Sequence, residues 1–269
     1  LKRLGGNSLF WEGIMPTKFF FVVGTGCSAT TWLYKILRDI PGTQIEMYWC
    51  FKHDLKEIGK AYNSEQDANK YIRKFRKPLM LRRLKKVKIY GEINCVLRWH
   101  CGALKRAFPK ASIIHLVRDG RDYVRSMMAR PYRFADNPEK EDVATRYVRP
   151  KKGDNCQEKW ASMTRFEKIC WEWRRTNEYI RGHLKQKPAQ MERMLSDFDY
   201  FKKYFLTPFG LKIAKELWAK RIKIQGKPDQ RIVLPHYSEW NDEILFQFNK
   251  ICGVEMMACG YGESYDSVS

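Results

Sequence analysis

Long apolar runs are missing from this sequence of 269 residues. The longest, "FFFVV" at 19–23, is far shorter than the roughly 20 apolar residues that a membrane-spanning helix needs. We therefore expect no membrane span in this chain. Internal repeats and low-complexity tracts are also missing, and a hydrophobic content of 44% is typical of a globular protein.

The cysteines lack the spacings that indicate metal sites or redox motifs. None of the eight forms a C-x-x-C pair, and none is spaced with histidine as in a zinc site, so we expect no metal. In a chain of this length, unpaired cysteines are typical of reduced, buried thiols. They favour an intracellular, cytoplasmic protein over a secreted one.

Acidic residues are scarce: 30 Asp and Glu stand against 51 Lys and Arg, for a formal net charge of +21. Such a balance favours an anionic partner, which could be nucleic acid, a membrane surface or a strongly anionic small ligand. Residues 69–91 hold many Lys and Arg and no acid. A block of this kind repels itself unless an anionic group lies against it.

Apolar patterning predicts alternating strands and helices. Strands are predicted at 18–24, 43–49, 87–93 and 111–119, and helices at 30–40, 64–77, 101–108, 121–129, 165–184 and within 239–261. The segment 185–238 fits neither period. This order predicts an α/β fold, a single domain with a central parallel sheet flanked by helices. We expect an N-terminal extension at 1–17, one domain over 18–269, and a lid or acceptor-binding loop at 130–155.

The stretch "VVGTGCSATTWLYKIL" at 22–37 reads as strand, tight turn and helix, a P-loop-like arrangement. Free N–H groups at a helix start bind anions, and Gly24 and Gly26 let the backbone come close to one. A nucleotide-hydrolysing loop would read G-x-x-x-x-G-K-[ST]. Here Ala29 replaces the second glycine and the lysine is missing, so an ordinary glycine turn remains the alternative.

A second strand–turn–helix follows in "IIHLVRDGRDYVRSMM" at 113–128. Arg118 lies at the end of the strand, and Ser126 lies in the helix. The planar guanidinium matches phosphate oxygens, although Arg118 could instead form a surface ion pair with Asp119 or Asp122. Ligands of such sheets sit beyond the carboxyl ends of the strands. Two anion sites at that edge suit a nucleotide with phosphate at both ends.

Together the two motifs resemble those of the sulfotransferases that use 3′-phosphoadenosine 5′-phosphosulfate (PAPS). "GTGCSATTWL" is similar to the family's 5′-phosphosulfate loop, G-x-x-[RK]-S-G-T-T-x-L, and "LVRDGRDYVRS" to its 3′-phosphate motif. "FPKASIIHLVRD" and the C-terminal "EWNDEILFQFNKICGVEMMACGY" resemble bacterial members. The resemblance runs from about Lys18 to Tyr261 and is weak across 185–238.

The resemblance implies a nucleotide site without metal, with PAPS as donor and adenosine 3′,5′-bisphosphate (PAP) as product. Arg118 and Ser126 would hold the 3′-phosphate. Trp32 would stack on the adenine, with a core position on its helix as the alternative. The 5′-phosphosulfate would lie against Gly26, Cys27, Ser28, Ala29, Thr30 and Thr31.

Two positions depart from the family pattern. Cys27 stands where the family has Lys or Arg, and Ile93 replaces the lysine of a G-E-K-[ST]-P segment that "YGEINC" otherwise resembles. Both changes remove positive charge from the place where negative charge develops in sulfuryl transfer. Lys35, Arg121 or a residue of the basic block could substitute; alternatively the protein binds PAPS and transfers poorly.

The acceptor hydroxyl needs a base to take its proton. The resemblance to polysaccharide-acting relatives places this role on Glu46, which precedes two aromatics in "QIEMYWCF". An ordinary edge-strand carboxylate is the alternative. His53 is the second candidate, because imidazole is a common base, and Glu92 the third. His115 lies within an apolar strand, where we expect a packed core histidine.

The sequence thus predicts a PAPS-dependent sulfotransferase acting on a hydroxyl or amine of a small molecule or glycan, which could be anionic. A nucleotide kinase-like enzyme that needs ATP and magnesium is the first alternative. A non-catalytic binder of polyanion or nucleic acid is the second, since Tyr71 and Phe75 interleave with cations. That interleaving is sparse, so we expect no nucleic-acid partner.

Overall fold

The structure, a computed structural model, describes residues 18–130, 134, 148–223 and 234–262. The expected extension at 1–17 and most of the expected lid at 130–155 lie outside the described residues. Within the part of the chain that is described, no helix is long and apolar enough to cross a membrane. All eight cysteines are free, and six of them are buried.

Five parallel strands form one sheet in the order β2-β3-β1-β4-β5. The strands are β1 (Lys18–Gly24), β2 (Thr43–Glu46), β3 (Ile89–Ile93), β4 (Ser112–Val117) and β5 (Ala189–Gln190). Helices flank this sheet, which confirms the predicted α/β fold with a central parallel sheet and a strand–loop–helix near the N-terminus.

The helices cover both faces of the sheet. They are α1 (Thr30–Leu37), α2 (Phe51–Asn63), α3 (Glu65–Lys70), α4 (Lys77–Arg83), α5 (Cys101–Ala107), α6 (Gly120–Met128), α7 (Arg165–Leu184), α8 (Met191–Ser196), α9 (Phe198–Phe201), α10 (Lys215–Lys223) and α11 (Asp242–Ala258). A π-helical turn at Tyr71–Arg76 joins α3 to α4, and a 3₁₀ turn at Cys95–His100 leads from β3 into α5.

The apolar run of β1 supplies the centre of the core. Phe20 and Val22 point to the face that α1 and the 191–211 segment cover, whereas Phe21 and Val23 point to the face under α2, α5 and α7. All four side chains are almost fully buried. A strand buried on both faces needs this continuous apolar sequence, which is why β1 was readable from the sequence.

Several element boundaries differ from the prediction. The helix predicted at 30–40 ends at Leu37, three residues earlier, because a residue that precedes a proline, here Ile40, is disfavoured in helical conformation. The helix predicted at 64–77 continues to Arg83 through the π-helical turn. The unassigned segment 185–238 contains β5 and three short helices within its described part.

Helix α2 is absent from the prediction altogether. Its buried face consists of Asp54, Ile58, Ala61 and Tyr62, so a carboxylate occupies a position where helical periodicity expects an apolar residue. Asp54 is fully buried because it accepts hydrogen bonds from Tyr71, Arg76 and Asn94.

His115 is a packed core histidine, as expected. It is fully buried, and its Nε2 lies 2.9 Å from Oδ1 of Asn177 on α7. Burial lowers the pKa of His115 to about 4, which keeps the imidazole neutral and removes it from the candidate catalytic groups.

Candidate functional site

The carboxyl ends of β1 to β4 bring four loops to one edge of the sheet. β1 lies between β3 and β4, and the chain passes from one half of the sheet to the other after β3. In open parallel sheets the ligand crevice forms where strand order reverses in this way. The two sequence motifs therefore meet at the expected place.

The loop after β1 brings the backbone unusually close to β4. A Cβ atom at Gly24 would lie 2.0 Å from the carbonyl oxygen of Leu116, so only glycine fits there. The loop then carries Cys27 at φ 62° and Ala29 at φ 54°, both in the left-handed region. Ser28 fixes the turn by donating a hydrogen bond from Oγ to the carbonyl of Thr25 (2.8 Å).

Helix α1 begins directly after this loop with its N-terminus open. Ala29 is its N-cap and provides no side-chain hydrogen bond, and no acidic residue lies in the first turn. The first-turn N–H groups are therefore left to a ligand or solvent, and the helix dipole favours an anion. The hydroxyl of Thr25 is also buried without a hydrogen-bond partner among the described residues. These groups fit an anionic ligand.

Arg118 connects the second motif to the first. Its Nη1 donates a hydrogen bond to the carbonyl of Cys27 (3.0 Å), and its own carbonyl accepts one from Nε1 of Trp173 (3.0 Å). Nε of Arg118 is buried and has no partner within the described ranges, which leaves a donor for a ligand. Asp122 is 4.0 Å from Nη2, so the alternative ion pair is present but long.

Ser126 lies on α6, four residues after Asp122, and is half-buried. Residues four apart share one face of a helix, so Ser126 lies along the same side of α6 that Arg118 approaches. The pairing of Arg118 with Ser126 is therefore compatible with the fold.

Trp32, in the first turn of α1, packs toward α9 and α10. Its ring meets Phe201 edge-on at 5.6 Å, and Nε1 donates a hydrogen bond to the carbonyl of Arg221 on α10 (3.1 Å). The side chain is only partly buried. Trp32 therefore packs at the edge of the hydrophobic core. The exposed part of its ring is available for stacking on a nucleotide base.

Three residues that the sequence did not single out line the same edge. The hydroxyl of Tyr48 and the thiol of Cys95 are hydrogen-bonded at 2.9 Å, and Nη1 of Arg98 donates to the carbonyl of Cys95 (3.1 Å). The pKa of Tyr48 is raised above its ordinary value, mainly by burial and also by Cys95. A hydrogen bond with Thr30 and the charge of Arg98 oppose this shift. Tyr48 therefore lies between the start of α1 and a cation.

Arg98 is a buried cation at this edge, in addition to Arg118. It is 6% exposed, and Nη2 lies 3.6 Å from Oε1 of Glu172, whose other oxygen accepts a hydrogen bond from Tyr123 (3.0 Å). The sequence gives little indication that Arg98 belongs to the site, because it lies five residues after the end of β3. The 3₁₀ turn at 95–100 is what brings it to the sheet edge.

The side chains expected to replace the missing basic residues are exposed or paired with other groups. Lys35 is exposed in the last turn of α1, away from the loop at the start of that helix. Arg121 donates from Nε to Oδ1 of Asp119 (2.9 Å) and stacks 4.2 Å from the ring centre of Tyr237. In the basic block, Arg76 is enclosed by buried carboxylates. Arg98 is the better-placed cation.

The three candidate bases occupy different surroundings. Glu92 is fully buried and accepts hydrogen bonds from Arg76, Trp49, Tyr90 and Asn94, so it has no room for an acceptor.

Glu46 is paired in register with Glu92 at the end of β2 and is 23% exposed at its side chain. It accepts from Nε2 of Gln44 (2.8 Å) and lies 3.9 Å from Arg83. His53 is exposed on the first turn of α2, where its ring packs against Phe75 at 5.1 Å.

Comparison with known proteins identifies a family and two similar folds. A family model described as the sulfotransferase family matches residues 20–178, more than half of the chain. A sulfotransferase from Alicyclobacillus acidocaldarius has a similar structure, at 14% identity and a TM-score of 0.50, over 91% of this chain and 94% of that chain. Mouse sulfotransferase SULT7A1, complexed with PAP, is similar at 16% identity and a TM-score of 0.50, over 91% and 86% of the two chains.

At these identities the two structures share the fold alone with this chain. No curated protein sequence matches it.

The close approach of β1 and β4 predicts that Gly24→Ala destabilises the protein. The new methyl group would meet the carbonyl of Leu116, which belongs to the sheet backbone and cannot move away, so we expect a loss of about 1–3 kcal/mol in the free energy of unfolding. Gly26→Ala is the matched control, because the nearest atom to its Cβ is Cε of Met127 at 3.9 Å. Denaturant unfolding of both variants measures the difference, and equal stability would contradict the packing argument.

Proposed function

The chain belongs to the sulfotransferase family, and on that premise we propose that it transfers a sulfuryl group from PAPS to a hydroxyl or amine of an acceptor. The contact between Arg118 and the carbonyl of Cys27 carries this proposal, because it joins an arginine with a free buried donor to a loop with free backbone N–H groups. A nucleotide with anionic groups at both ends suits such a pair of sites.

The residues of this edge have separate proposed roles in binding the donor. The loop from Gly26 to Thr31 holds the 5′-phosphosulfate through backbone N–H groups and hydroxyls, and Arg118 with Ser126 holds the 3′-phosphate. Trp32 lies beside the adenine. PAPS supplies an activated sulfuryl group when bound; the chain supplies orientation and charge. The mouse neighbour, solved with PAP, is consistent with this donor.

Arg98 is proposed to provide the positive charge that Cys27 and Ile93 do not. It is nearly fully buried, which strengthens its field, and the Cys95 carbonyl and Glu172 hold the guanidinium in place. Tyr48 lies next to both Thr30 and Arg98, where its hydroxyl could position an acceptor.

Glu46 is proposed as the base that takes the proton of the acceptor. Among the three candidates it is the carboxylate at the sheet edge that remains partly exposed, because Glu92 is saturated with hydrogen bonds. Its contact with Arg83 is long, so the carboxylate stays available. His53 remains the alternative.

A thermal-shift panel separates this function from its rivals. Stabilisation by PAP in the absence of magnesium supports a sulfotransferase, stabilisation only by ATP with magnesium supports a kinase-like enzyme, and stabilisation only by polyanions supports a binder. An acceptor screen with PAPS and mass detection of sulfated products then tests transfer itself.

Arg118→Ala should weaken PAP binding strongly. Losing a charge-assisted contact to a buried phosphate typically costs about 2–5 kcal/mol, and the loop would also lose its tie at Cys27. Isothermal titration calorimetry measures the affinity. Arg106→Ala, which removes one positive charge at a site paired with Asn69 and Glu65, is the control and should bind normally. Unchanged affinity in a folded Arg118→Ala protein would remove Arg118 from the nucleotide site.

Glu46→Gln should leave PAP affinity intact and reduce turnover by roughly 10²–10⁴-fold, the range for a lost general base. Glutamine keeps the shape of the side chain and its contact with Gln44, so packing should survive. His53→Gln is measured alongside in the same single-turnover assay. Normal turnover of Glu46→Gln together with a slow His53→Gln would move the role to the histidine.

Arg98→Gln should lower the rate of transfer by roughly 10²–10³-fold, the usual effect of removing one group that stabilises developing charge. Arg98→Lys keeps the charge and should retain part of the rate. Glu172→Gln is the control for loss of the ion pair, since it removes the carboxylate and keeps the positive charge of Arg98.

A lysine at Cys27, where the family motif is basic, should restore part of the rate when combined with Arg98→Gln. If Arg98→Gln transfers at the wild-type rate while binding PAP normally, another group supplies the charge.

A further inference from the structure

A polar cavity lies between α2 and α7. Its volume is about 460 Å³, and it is formed by the C-terminal end of α2, the segment 151–155 and the outer surface of α7. None of the residues assigned above to the nucleotide site lines it. The size is within the range of small-molecule sites.

The walls of this cavity carry more hydrogen-bond donors than acceptors. Lys151, Lys152, Arg174 and Arg175 contribute four positive charges. Nε of Arg174 and Nε of Arg175 are buried and lack a hydrogen-bond partner in the described part of the chain. An arginine nitrogen can only donate, so these atoms need an acceptor that the chain does not provide.

Tyr62 adds a further donor. The residue is 2% exposed, and its hydroxyl has no well-formed hydrogen bond with any described residue, although the Arg175 guanidinium lies beside it. Arginine offers only donors, so the proton of the Tyr62 hydroxyl would still lack an acceptor. Lys151 lies over the same ring, with Nζ 4.2 Å from its centre.

The two carboxylates of the cavity are already engaged. Oδ1 of Asp154 lies 3.6 Å from Nη2 of Arg174, which forms an ion pair with it. Asp154 also accepts hydrogen bonds from Nε1 of Trp171 (3.2 Å) and from the backbone N–H of Cys156 (3.0 Å). Glu178 accepts one from Nη1 of Arg175 (3.0 Å). They offset two of the four positive charges, and the cavity keeps a net charge of about +2.

Burial, together with the charge of Arg175, lowers the pKa of Lys151. Like charges held close together in this way are stabilised by an anion between them.

We propose that this cavity binds an oxyanion group, a sulfate, phosphate or carboxylate, carried by a small polar ligand. An oxyanion only accepts hydrogen bonds, through several oxygens at once, which matches a wall of converging donors. Arg174, Arg175, Lys151 and the Tyr62 hydroxyl contact it. A cation is excluded by the charge of the wall, and an apolar ligand would leave the donors unpaired.

Binding is tested with the full chain and with PAP present in excess, so that the nucleotide site does not contribute. The probes are inorganic sulfate, glucose 6-sulfate, glucose 6-phosphate and glucuronate, titrated by calorimetry at fixed ionic strength. We expect saturable binding of at least one probe with a stoichiometry of one. Their order of affinity shows whether the group is a sulfate, a phosphate or a carboxylate.

Three variants locate the binding. Arg174→Gln should weaken the tightest probe at least tenfold, and Tyr62→Phe, which removes only the hydroxyl, about threefold. Lys60→Gln removes a surface charge outside this cavity and should bind as the wild type does. No saturable binding of any probe, or an equal loss in all three variants, would overturn the proposal. Because no transfer is measured, its failure leaves the proposed sulfotransferase activity unaffected.

Discussion

The buried guanidinium of Arg76 makes the interactions that hold α2 and β3 together at the sheet edge. It donates to Asp54 of α2 through Nε (2.6 Å) and to Glu92 of β3 through Nη1 (3.0 Å), and Asn94 donates to both carboxylates at 3.0 Å. All three charged groups are at most 2% exposed. Removing one partner from such a cluster leaves an unpaired buried charge, typically at a cost of about 3–5 kcal/mol.

This cluster fixes the conformation of the neighbouring loop between β2 and α2. Trp49 donates to Glu92 (3.2 Å) and stacks over Arg76, which fixes the loop between β2 and α2. Tyr48, the preceding residue, is thereby held at φ 54°, in the left-handed region that costs a non-glycine residue about 1–2 kcal/mol. The same edge holds Cys27 and Ala29 in that region. Strain of this kind gathers where geometry serves a ligand rather than stability.

The backbone conformation of Ala29 explains why the family motif has glycine at this position. The motif has glycine at this position, and here the residue adopts φ 54°, which glycine adopts without a steric cost. The alanine is tolerated because the loop is over-determined by its neighbours. Ser28 bonds back to Thr25, and Arg118 holds the carbonyl of Cys27.

Local pattern was sufficient for some parts of this fold and insufficient for others. Helix α7 was predicted at its true bounds, 165–184, because an uninterrupted apolar period follows a complete capping box of Thr164 and Glu167. Helix α2 was missed because Asp54 interrupts its apolar face, and that aspartate makes sense only beside Arg76, which lies 22 residues away. The basic block looked like a surface for an external anion, yet its central arginine is neutralised by the protein's own carboxylates.

The residues proposed to bind the nucleotide could be named from the sequence because they are contiguous in two motifs. The cation proposed for the same site could not be named in this way. Arg98 belongs to neither motif, and a lone arginine after a strand carries no local signal of burial. The physical requirement, however, is for positive potential at the edge and not for a basic residue at one position. A guanidinium that is 6% exposed meets this requirement better than an exposed lysine would, because little water screens it. Glu172, at 3.6 Å, offsets part of that charge but also fixes its direction. Under the proposed function, the positive charge that is missing at positions 27 and 93 is therefore supplied from the turn that follows β3.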